Sequence, residues 1–237
     1  MPSLQHHGVK GQQWGVRHGP PYPIQKGNAV TLRAGTKISR LSVYDESIAK
    51  GKAYVNYNNK DIDHYKGFFG FRLKRIHGNA PVYSLTFTAK HDLKSPDFNT
   101  RMETFKELYK SDPEIQKELA RYYRSTHIKF APLFIYERKY KNMDEKQMER
   151  TGYNTFVRSL GDVNRKTSEK YFNALIKKGY DFVMDDMDGQ YMLRYGREPA
   201  IVFDRESSMN YEGREELRWR EIQKNLRDGP LRVKADH

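Results

Sequence analysis

Residues 82–88, Val-Tyr-Ser-Leu-Thr-Phe-Thr, form the clearest strand pattern in the chain. Apolar and hydroxyl-bearing side chains alternate along it, which places Leu85 and Phe87 on one face and Thr86 and Thr88 on the other. The stretch is rich in β-branched and aromatic residues, as β-strands commonly are. It therefore predicts a strand whose two faces differ in polarity.

Four further strand patterns lie on either side of this stretch. Residues 29–33 and 53–57 precede it, and residues 180–184 and 200–203 follow much later in the chain. Because helical patterns occupy the residues between the early and the late strands, the order of elements along the chain is not the regular alternation of strand and helix that a parallel sheet requires. The sequence therefore predicts an α+β fold with a mainly antiparallel mixed sheet and a central helical insertion.

Helical periodicity fills the interval between the two groups of strands. In the first of these helices, the spacing of Phe98, Met102, Phe105 and Tyr109 places four apolar side chains on one face. Capping residues and a glycine predict the limits of the helices. Ser95-Pro96 is expected to open the first helix, and Asp112-Pro113 is expected to open the second. A third helix is expected from about Asp144 to Leu160. Thr167-Ser168 is expected to open a fourth helix, which ends at Gly179.

The composition narrows the class of protein. The 237 residues include 43 Lys and Arg against 30 Asp and Glu, a net charge of +13, which favours an anionic partner: a nucleic acid, a phosphate-bearing cofactor or an acidic protein. Cysteine is absent, which excludes a disulfide scaffold, a thiolate nucleophile and a cysteine-ligated metal. No apolar run is long enough to span a bilayer, so we expect a soluble protein without a membrane partner.

The chain is expected to divide into three parts. Residues 1–27 contain five glycines and four prolines and are expected to form a flexible leader. Residues 28–210 are expected to form the α+β domain. Residues 211–237 are expected to form a charged C-terminal helix and tail, with the helix running from Glu212 to Arg227. Three apolar side chains form its narrow seam: Leu217, Ile222 and Leu226.

Common catalytic and metal-binding motifs are missing from the sequence. It contains no His-Glu-x-x-His zinc motif, no Gly-x-Gly-x-x-Gly or P-loop nucleotide motif, and no Gly-x-Ser-x-Gly elbow. An acidic cluster next to Gly189 does not match the ligand spacing of a calcium-binding EF-hand. We therefore expect a polar turn between strands there and no metal site. The cluster consists of Asp181, Asp185, Asp186 and Asp188.

The stretch from Lys60 to Arg75 has two interpretations. It contains five basic and two acidic residues, interleaved with four aromatic ones. Cations and aromatic rings in this arrangement are suited to bind a single strand of nucleic acid. The alternative is a buried aromatic face with a charged rim. The aromatic residues are Tyr65, Phe68, Phe69 and Phe71.

Arg33 is the candidate anion-binding residue of the first strand pattern. It directly follows Val30-Thr31-Leu32 and precedes Ala34-Gly35, so its guanidinium group is expected where the strand leaves the core. A guanidinium group in that position is suited to bind two phosphate oxygens at once. A salt bridge within the fold is the alternative role.

Three segments of the chain together resemble the ADP-ribosyltransferase family. They are Thr31-Leu32-Arg33-Ala34-Gly35, Gly179-Tyr180-Asp181-Phe182-Val183 and Glu198-Pro199-Ala200-Ile201-Val202-Phe203. The resemblance covers roughly residues 29–210 and implies an ADP-ribosyltransferase-like fold. In the leader, residues 6–17, His-His-Gly-Val-Lys-Gly-Gln-Gln-Trp-Gly-Val-Arg, resemble a short segment found in proteins of tailed phages and prophages.

The resemblance implies NAD as the substrate and assigns roles to several residues. Arg33 would bind the pyrophosphate of NAD. Glu198, with Glu206 as the alternative, would be the catalytic carboxylate that stabilises positive charge developing at the ribose. A further residue would contact the nicotinamide, and the candidates are Tyr54, Tyr57, Thr86 and Thr88. No metal site is implied.

The resemblance implies a phage-associated, NAD-dependent ADP-ribosyltransferase-like protein that transfers ADP-ribose to a host macromolecule. The expected partners are a host protein or nucleic acid as the acceptor, together with phage structural proteins. The expected location is the host cytoplasm or the virion. Two alternatives remain open: a non-catalytic phage structural or host-defence-inhibiting interaction protein, and a basic nucleic-acid-binding protein.

Overall fold

The computed structural model of the protein describes residues 29–44, 52–56, 62–127, 132–159, 166–184 and 199–228. Several of the predictions above lie outside the described residues. These are the predictions for the leader, for Tyr57, for residues 185–189 of the acidic cluster, for Glu198 and for the last nine residues of the tail.

The described residues contain eight strands in two sheets, and every strand pair is antiparallel. The main sheet has the order β6-β7-β3-β2-β4-β8, and a small second sheet pairs β1 with β5. The strands are β1 (Val30–Leu32), β2 (Lys37–Ser42), β3 (Ala53–Asn56), β4 (Tyr83–Ala89), β5 (Leu93–Ser95), β6 (Phe182–Met184), β7 (Pro199–Val202) and β8 (Met209–Glu216).

Most of the helices described lie between β5 and β6, as one continuous insertion. The predicted α+β class, with an antiparallel sheet and a central helical insertion, is therefore confirmed. None of the helices described is both long and apolar enough to cross a lipid bilayer. The helices are α1 (Ile62–His77), α2 (Phe98–Ser111), α3 (Pro113–His127), α4 (Leu133–Lys141), α5 (Glu145–Gln147), a π-helix (Met148–Gly152), α6 (Tyr153–Ser159), α7 (Lys166–Lys177), α8 (Arg205–Ser208) and α9 (Trp219–Asp228).

Two segments of the chain bend together and belong to both sheets. Residues 30–42 run antiparallel to residues 83–95, first as β1 against β5 and then as β2 against β4. At the bend, the Thr36 N–H donates to the Arg33 carbonyl at 2.9 Å and closes a β-turn in which Gly35 has a φ of 81°. This φ is typical of the third residue of a type II turn, where glycine is unstrained. The sequence Arg-Ala-Gly-Thr thus carries the chain from one sheet to the other.

Three apolar clusters hold these elements together. The first fills the space between the two sheets, where Leu93 of the small sheet and Phe87 of the main sheet are both buried. The second joins the helical insertion to the other face of β6 and β7, and includes Ile201. The third joins α1 and α9 to the main sheet and includes Leu41 and Ile222. Both faces of the main sheet are therefore covered over part of their area.

The strand that the sequence indicates most clearly has the predicted polarity. Leu85 and Phe87 of β4 are buried, at 0% and 4% exposed. Thr86 and Thr88 are half-buried on the opposite face. The alternation predicted for this strand is confirmed.

Two of the predicted helix starts are wrong. Ser95 is the last residue of β5, and α2 is capped instead by Asp97, whose carboxylate accepts a hydrogen bond from the Thr100 N–H at 2.8 Å. A carboxylate at this position satisfies an N–H group that the helix itself leaves without a partner. Thr167 and Ser168 do not cap α7 but lie inside its first turn, where both are buried.

The third predicted helix is present but is not a continuous α-helix. Asp144 caps α5, and its carboxylate and the Gln147 side chain exchange hydrogen bonds with each other's backbone N–H groups. The π-helix then separates α5 from α6. The predicted start at Asp144 is therefore confirmed, whereas the uniform helix is not.

The helix predicted from Glu212 to Arg227 is wrong in its first part. Residues 209–216 form β8, which pairs with β4 and extends the main sheet past residue 210. Without β8 the backbone N–H and C=O groups on that side of β4 would be unpaired. The charge pattern of residues 209–216 does not indicate that they pair with β4. The helix α9 starts only at Trp219. Of the three residues of the predicted apolar seam, Ile222 is buried, Leu226 is half-buried, and Leu217 is buried but precedes the helix.

Candidate functional site

The bend between the two sheets forms a polar corner, which we define as residues 33–36 and 90–92. Here Arg33 Nη1 lies 2.5 Å from Asp92 Oδ2, and Asp92 Oδ1 accepts a hydrogen bond from the Ala34 N–H at 2.9 Å. The side chains of Arg33 and Asp92 are 61% and 38% exposed. One carboxylate therefore holds both the arginine and the backbone of its turn, while the guanidinium group remains accessible to solvent.

A buried hydroxyl group lies in the same corner. Thr36 is 3% exposed, and its Oγ1 atom has no hydrogen-bond partner among the residues that the structure describes. Its backbone, in contrast, is fully used: the N–H donates to Arg33 and the carbonyl accepts from Ala89. The corner therefore combines a well-bonded backbone with one polar group that is not satisfied within the described part of the chain.

The hydrogen bonds to Asp92 lower the pKa of its carboxyl group below the ordinary value of 3.8. The larger cause is the hydrogen bond from the Ala34 N–H, and the next is the one from Arg33. Because the pKa in the folded state is the lower one, the stabilisation is fully present above pH 3.8 and is lost as the pH falls through the folded-state pKa.

We expect Asp92→Asn to lower the stability of the protein slightly at pH 7, and the difference from the wild type to shrink below pH 3.8. The effect is small because the ion pair is exposed and screened by solvent. Urea unfolding at a series of pH values measures it, with Glu103→Gln on the exposed side of α2 as the control. A difference in stability that widened as the pH fell would contradict the stabilising role of the charged Asp92 carboxylate.

Asp181 ties the start of β6 to the small sheet close to this corner. Its carboxylate accepts a hydrogen bond from the Lys94 N–H at 2.8 Å, and its own N–H donates to the Lys94 carbonyl at 2.9 Å. His91 Nε2 lies 3.8 Å from the same carboxylate. Asp181 therefore has a structural role that accounts for its place in the acidic cluster of the sequence.

Glu206, the alternative catalytic carboxylate, lies in α8 on another side of the corner. The Lys90 N–H donates to the Ser208 carbonyl at 2.9 Å, and Lys90 Nζ lies 2.5 Å from the Glu206 carbonyl. The side chain of Glu206 is exposed. Arg33 and Glu206 thus contact the same short segment, residues 90–92, through different residues of it.

Thr86 and Thr88 lie on the face of the main sheet that points away from the core between the sheets. Thr86 is opposite Ser39 of β2 and Gly213 of β8. The Thr88 hydroxyl lies 2.7 Å from a carboxylate oxygen of Glu212. Thr86 is therefore on a polar strip of the sheet, whereas Arg33 is in the turn that precedes β2.

The strand register shows which strand ends meet at one end of the main sheet. Ser39, near the start of β2, is opposite Asn56 at the end of β3. Asn56 is in turn opposite Pro199 at the start of β7. The start of β2, the end of β3 and the start of β7 therefore share one end of the sheet.

Three of the predicted site residues belong to segments that join the sheet at this end. Arg33 lies in the turn before β2, Tyr57 follows the last residue of β3, and Glu198 precedes the first residue of β7. Tyr57 and Glu198 are themselves outside the described residues. Tyr54 lies further inside the sheet, where its backbone pairs with that of Ile201.

Two polar residues of this region were not indicated by the sequence. Asp92 and Glu212 make their hydrogen bonds to residues 58 to 59 and 124 positions away in the chain, so no local spacing pattern connects them with their partners. The only local signal for Asp92 is its position between a strand pattern and a helical pattern, where polar turns are common.

No group of three or more metal-ligating side chains is placed to hold a metal ion in the ranges that the structure describes. No family model, curated protein or solved structure matches this chain. The candidate site therefore depends on its own geometry and on the motifs of the sequence.

Proposed function

We propose that this protein is a phage-associated, NAD-dependent ADP-ribosyltransferase-like enzyme, with the corresponding fold, that transfers ADP-ribose to a host macromolecule. The observation that carries the proposal is the meeting of three segments at one end of the main sheet, namely the start of β2 that follows the turn of Arg33, the end of β3 before Tyr57 and the start of β7 after Glu198. The phage association rests on the resemblance of residues 6–17 to tailed-phage proteins.

The exposed guanidinium group of Arg33 has the charge and the accessibility that pyrophosphate binding requires. In the proposed reaction the bond between the nicotinamide nitrogen and C1′ of the ribose breaks, and nicotinamide leaves with the electron pair. A nucleophile of the acceptor forms the new bond to C1′ and loses a proton. A carboxylate stabilises the positive charge that develops at the ribose, and we assign this role to Glu198, with Glu206 as the alternative.

One observation favours the non-catalytic alternative, a phage structural or host-defence-inhibiting interaction protein. Asp92 already neutralises Arg33, and the same carboxylate stabilises the turn through the Ala34 N–H. In a protein without catalytic activity this ion pair would serve only the fold. In the enzyme, the pyrophosphate must compete with Asp92 for Arg33 or bind on the exposed side of the guanidinium group.

Nicotinamide release from NAD by the purified full-length chain, with and without host lysate, tests the proposal. We expect release, and we expect Arg33→Ala to slow it at least about tenfold, because losing a charged hydrogen-bond donor costs about 1.5–3 kcal/mol. Glu198→Gln and Glu206→Gln distinguish the two carboxylates, since only replacement of the catalytic carboxylate should abolish nicotinamide release.

Arg138→Ala is the matched control, because Arg138 is an exposed arginine of α4 in the helical insertion. Release that needs the lysate would indicate a transferase that requires its acceptor. Release that Arg33→Ala leaves unchanged would contradict the role of Arg33. No release from folded protein in either condition would overturn the enzymatic proposal and support the non-catalytic alternative.

A further inference from the structure

An exposed aromatic pair lies where α1 and α9 pack against each other. The rings of Phe71 and Trp219 are stacked, with centroids 5.9 Å apart and an interplanar angle of 21°. The two residues are nevertheless 38% and 43% exposed. Large aromatic side chains on a surface of this kind commonly mark a binding site.

The packing of the two helices is provided elsewhere along α1. Gly67 brings the backbone of α1 against the backbone of Asn225 and Leu226, and Gly70 contacts the Ile222 side chain. Ile222 is 1% exposed and belongs to the third apolar cluster. The buried contact between α1 and α9 therefore leaves Phe71 and Trp219 partly exposed.

Exposed arginines are close neighbours of the aromatic pair along the chain. Arg75 is exposed one helical turn after Phe71 on α1, and Arg218 and Arg220, both exposed, flank Trp219. Residues 62–77 and 218–228 together contain eight Lys and Arg against three Asp and Glu, a surplus of five in 27 residues. These 27 residues thus carry five of the 13 net positive charges of the chain.

Two acidic side chains near these helices lie in one pocket. Glu215 and Glu221 line a small open pocket together with Lys66 and Lys224. Lys66 Nζ lies 2.9 Å from a Glu215 carboxylate oxygen. Glu215 is therefore paired with Lys66, whereas the Glu221 carboxylate accepts a hydrogen bond from the Arg218 N–H at 2.8 Å. The side chains of Arg75, Arg218 and Arg220 are exposed and keep their electrostatic attraction for an anion.

We propose that Phe71, Trp219, Arg75, Arg218 and Arg220, which we name the α1–α9 face, bind a single-stranded nucleic acid. Unpaired bases would stack on the exposed rings, and the arginines would contact the phosphates, which is how proteins bind single strands without a sequence preference. The carboxylates of an acidic protein would satisfy the charges but would not stack on the rings. The proposal does not depend on NAD or on the activity of the corner.

Fluorescence anisotropy with labelled single-stranded DNA and RNA of about 20 nucleotides tests the proposal on the full-length chain. We expect binding that weakens steeply between about 50 and 200 mM salt. Phe71→Ala combined with Trp219→Ala should weaken it at least about tenfold, the scale of one lost stacking contact. Arg75→Gln and Arg220→Gln should each reduce the slope of log affinity against log salt by about 0.7.

Two substitutions on α4 serve as matched controls. Phe134 is 66% exposed, and Arg138 is exposed on the same helix, so Phe134→Ala and Arg138→Gln remove an aromatic ring and a charge outside the α1–α9 face. We expect neither to change the affinity. If they weaken binding as much as the α1–α9 variants do, or if polyglutamate competes as well as the oligonucleotide, the proposal is wrong.

A second measurement keeps both aromatic residues of the face in place. The chain contains two tryptophans, Trp14 and Trp219, so Trp14→Phe leaves the fluorescence of Trp219 as the only tryptophan signal. Stacking of a base on Trp219 should quench that signal as the oligonucleotide is added. Binding without quenching, or no binding at low salt by folded protein, would overturn the proposal even if the aromatic double variant failed to fold.

Discussion

Replacing Phe105 with alanine is expected to lower the free energy of unfolding by about 3–5 kcal/mol, the usual cost of removing a buried phenylalanine ring. Phe105 is 0% exposed and belongs to the cluster of the helical insertion. Its ring centroid lies 4.9 Å from that of Phe156, 5.7 Å from that of Tyr153 and 5.9 Å from that of Tyr109. Alanine would leave a cavity that three rigid rings cannot close.

Urea and thermal unfolding measure this effect, and the melting temperature should fall by about 6–20 °C for a chain of this size. Phe134→Ala is the control, because it removes the same atoms from a side chain that is 66% exposed. We expect the control to change stability by less than about 0.5 kcal/mol. Equal losses in the two variants would contradict the packing described for the insertion.

Gly67→Leu is expected to destabilise the protein by about 3 kcal/mol, the upper end of the usual cost of overpacking. A Cβ atom at Gly67 would lie 2.4 Å from the Leu226 nitrogen and 2.5 Å from the Asn225 carbonyl carbon. Both contacts are with backbone atoms, so no side-chain rotation can relieve them. The helices α1 and α9 would have to separate.

Hydrogen exchange distinguishes this outcome from a general loss of stability. We expect the backbone amides of α9 to lose more protection than those of α2 in the Gly67→Leu variant, because the clash acts only on the contact between α1 and α9. Gly70→Ala is the control: its Cβ atom would meet only the Ile222 side chain, at 3.1 Å. Uniform loss of protection over both helices would contradict the local explanation.

The strands with clear alternation were predictable because their pattern is local. In β4 the sequence itself separates Leu85 and Phe87 from Thr86 and Thr88, and any sheet that buries one face places them as observed. The α+β class followed from the order of such segments along the chain.

The elements that sequence reasoning missed form for reasons that lie elsewhere in the chain. The helix α1 contains Gly67 and Gly70, which are poor helix formers, yet each of them faces α9 at close range. The strand β8 is rich in charged residues, which favoured a helix, but its backbone completes the hydrogen bonding of β4. Neither contact can be inferred from the local sequence pattern.

The candidate site likewise combines a residue that the sequence indicated with contacts that it did not. Arg33 was indicated by its position between a strand pattern and Gly35, and the structure places both residues in one turn. Its partner Asp92 lies 59 positions away, and the meeting of β2, β3 and β7 at one end of the sheet depends on pairing across more than 140 residues. The charge pattern of residues 212–216 predicts a helix, but these residues pair with β4 as a strand.

The sequence by itself therefore determined the fold class, the buried face of β4 and the position of Arg33 after a strand, because short-range alternation and periodicity specify these features. Only the tertiary structure decided the order of the strands, the ion pair that holds Arg33 and the exposed stack of Phe71 on Trp219. These features depend on which backbone groups and side chains from distant parts of the chain form hydrogen bonds and contacts in the folded state. That pairing is set by the packing of the whole core and not by any single segment.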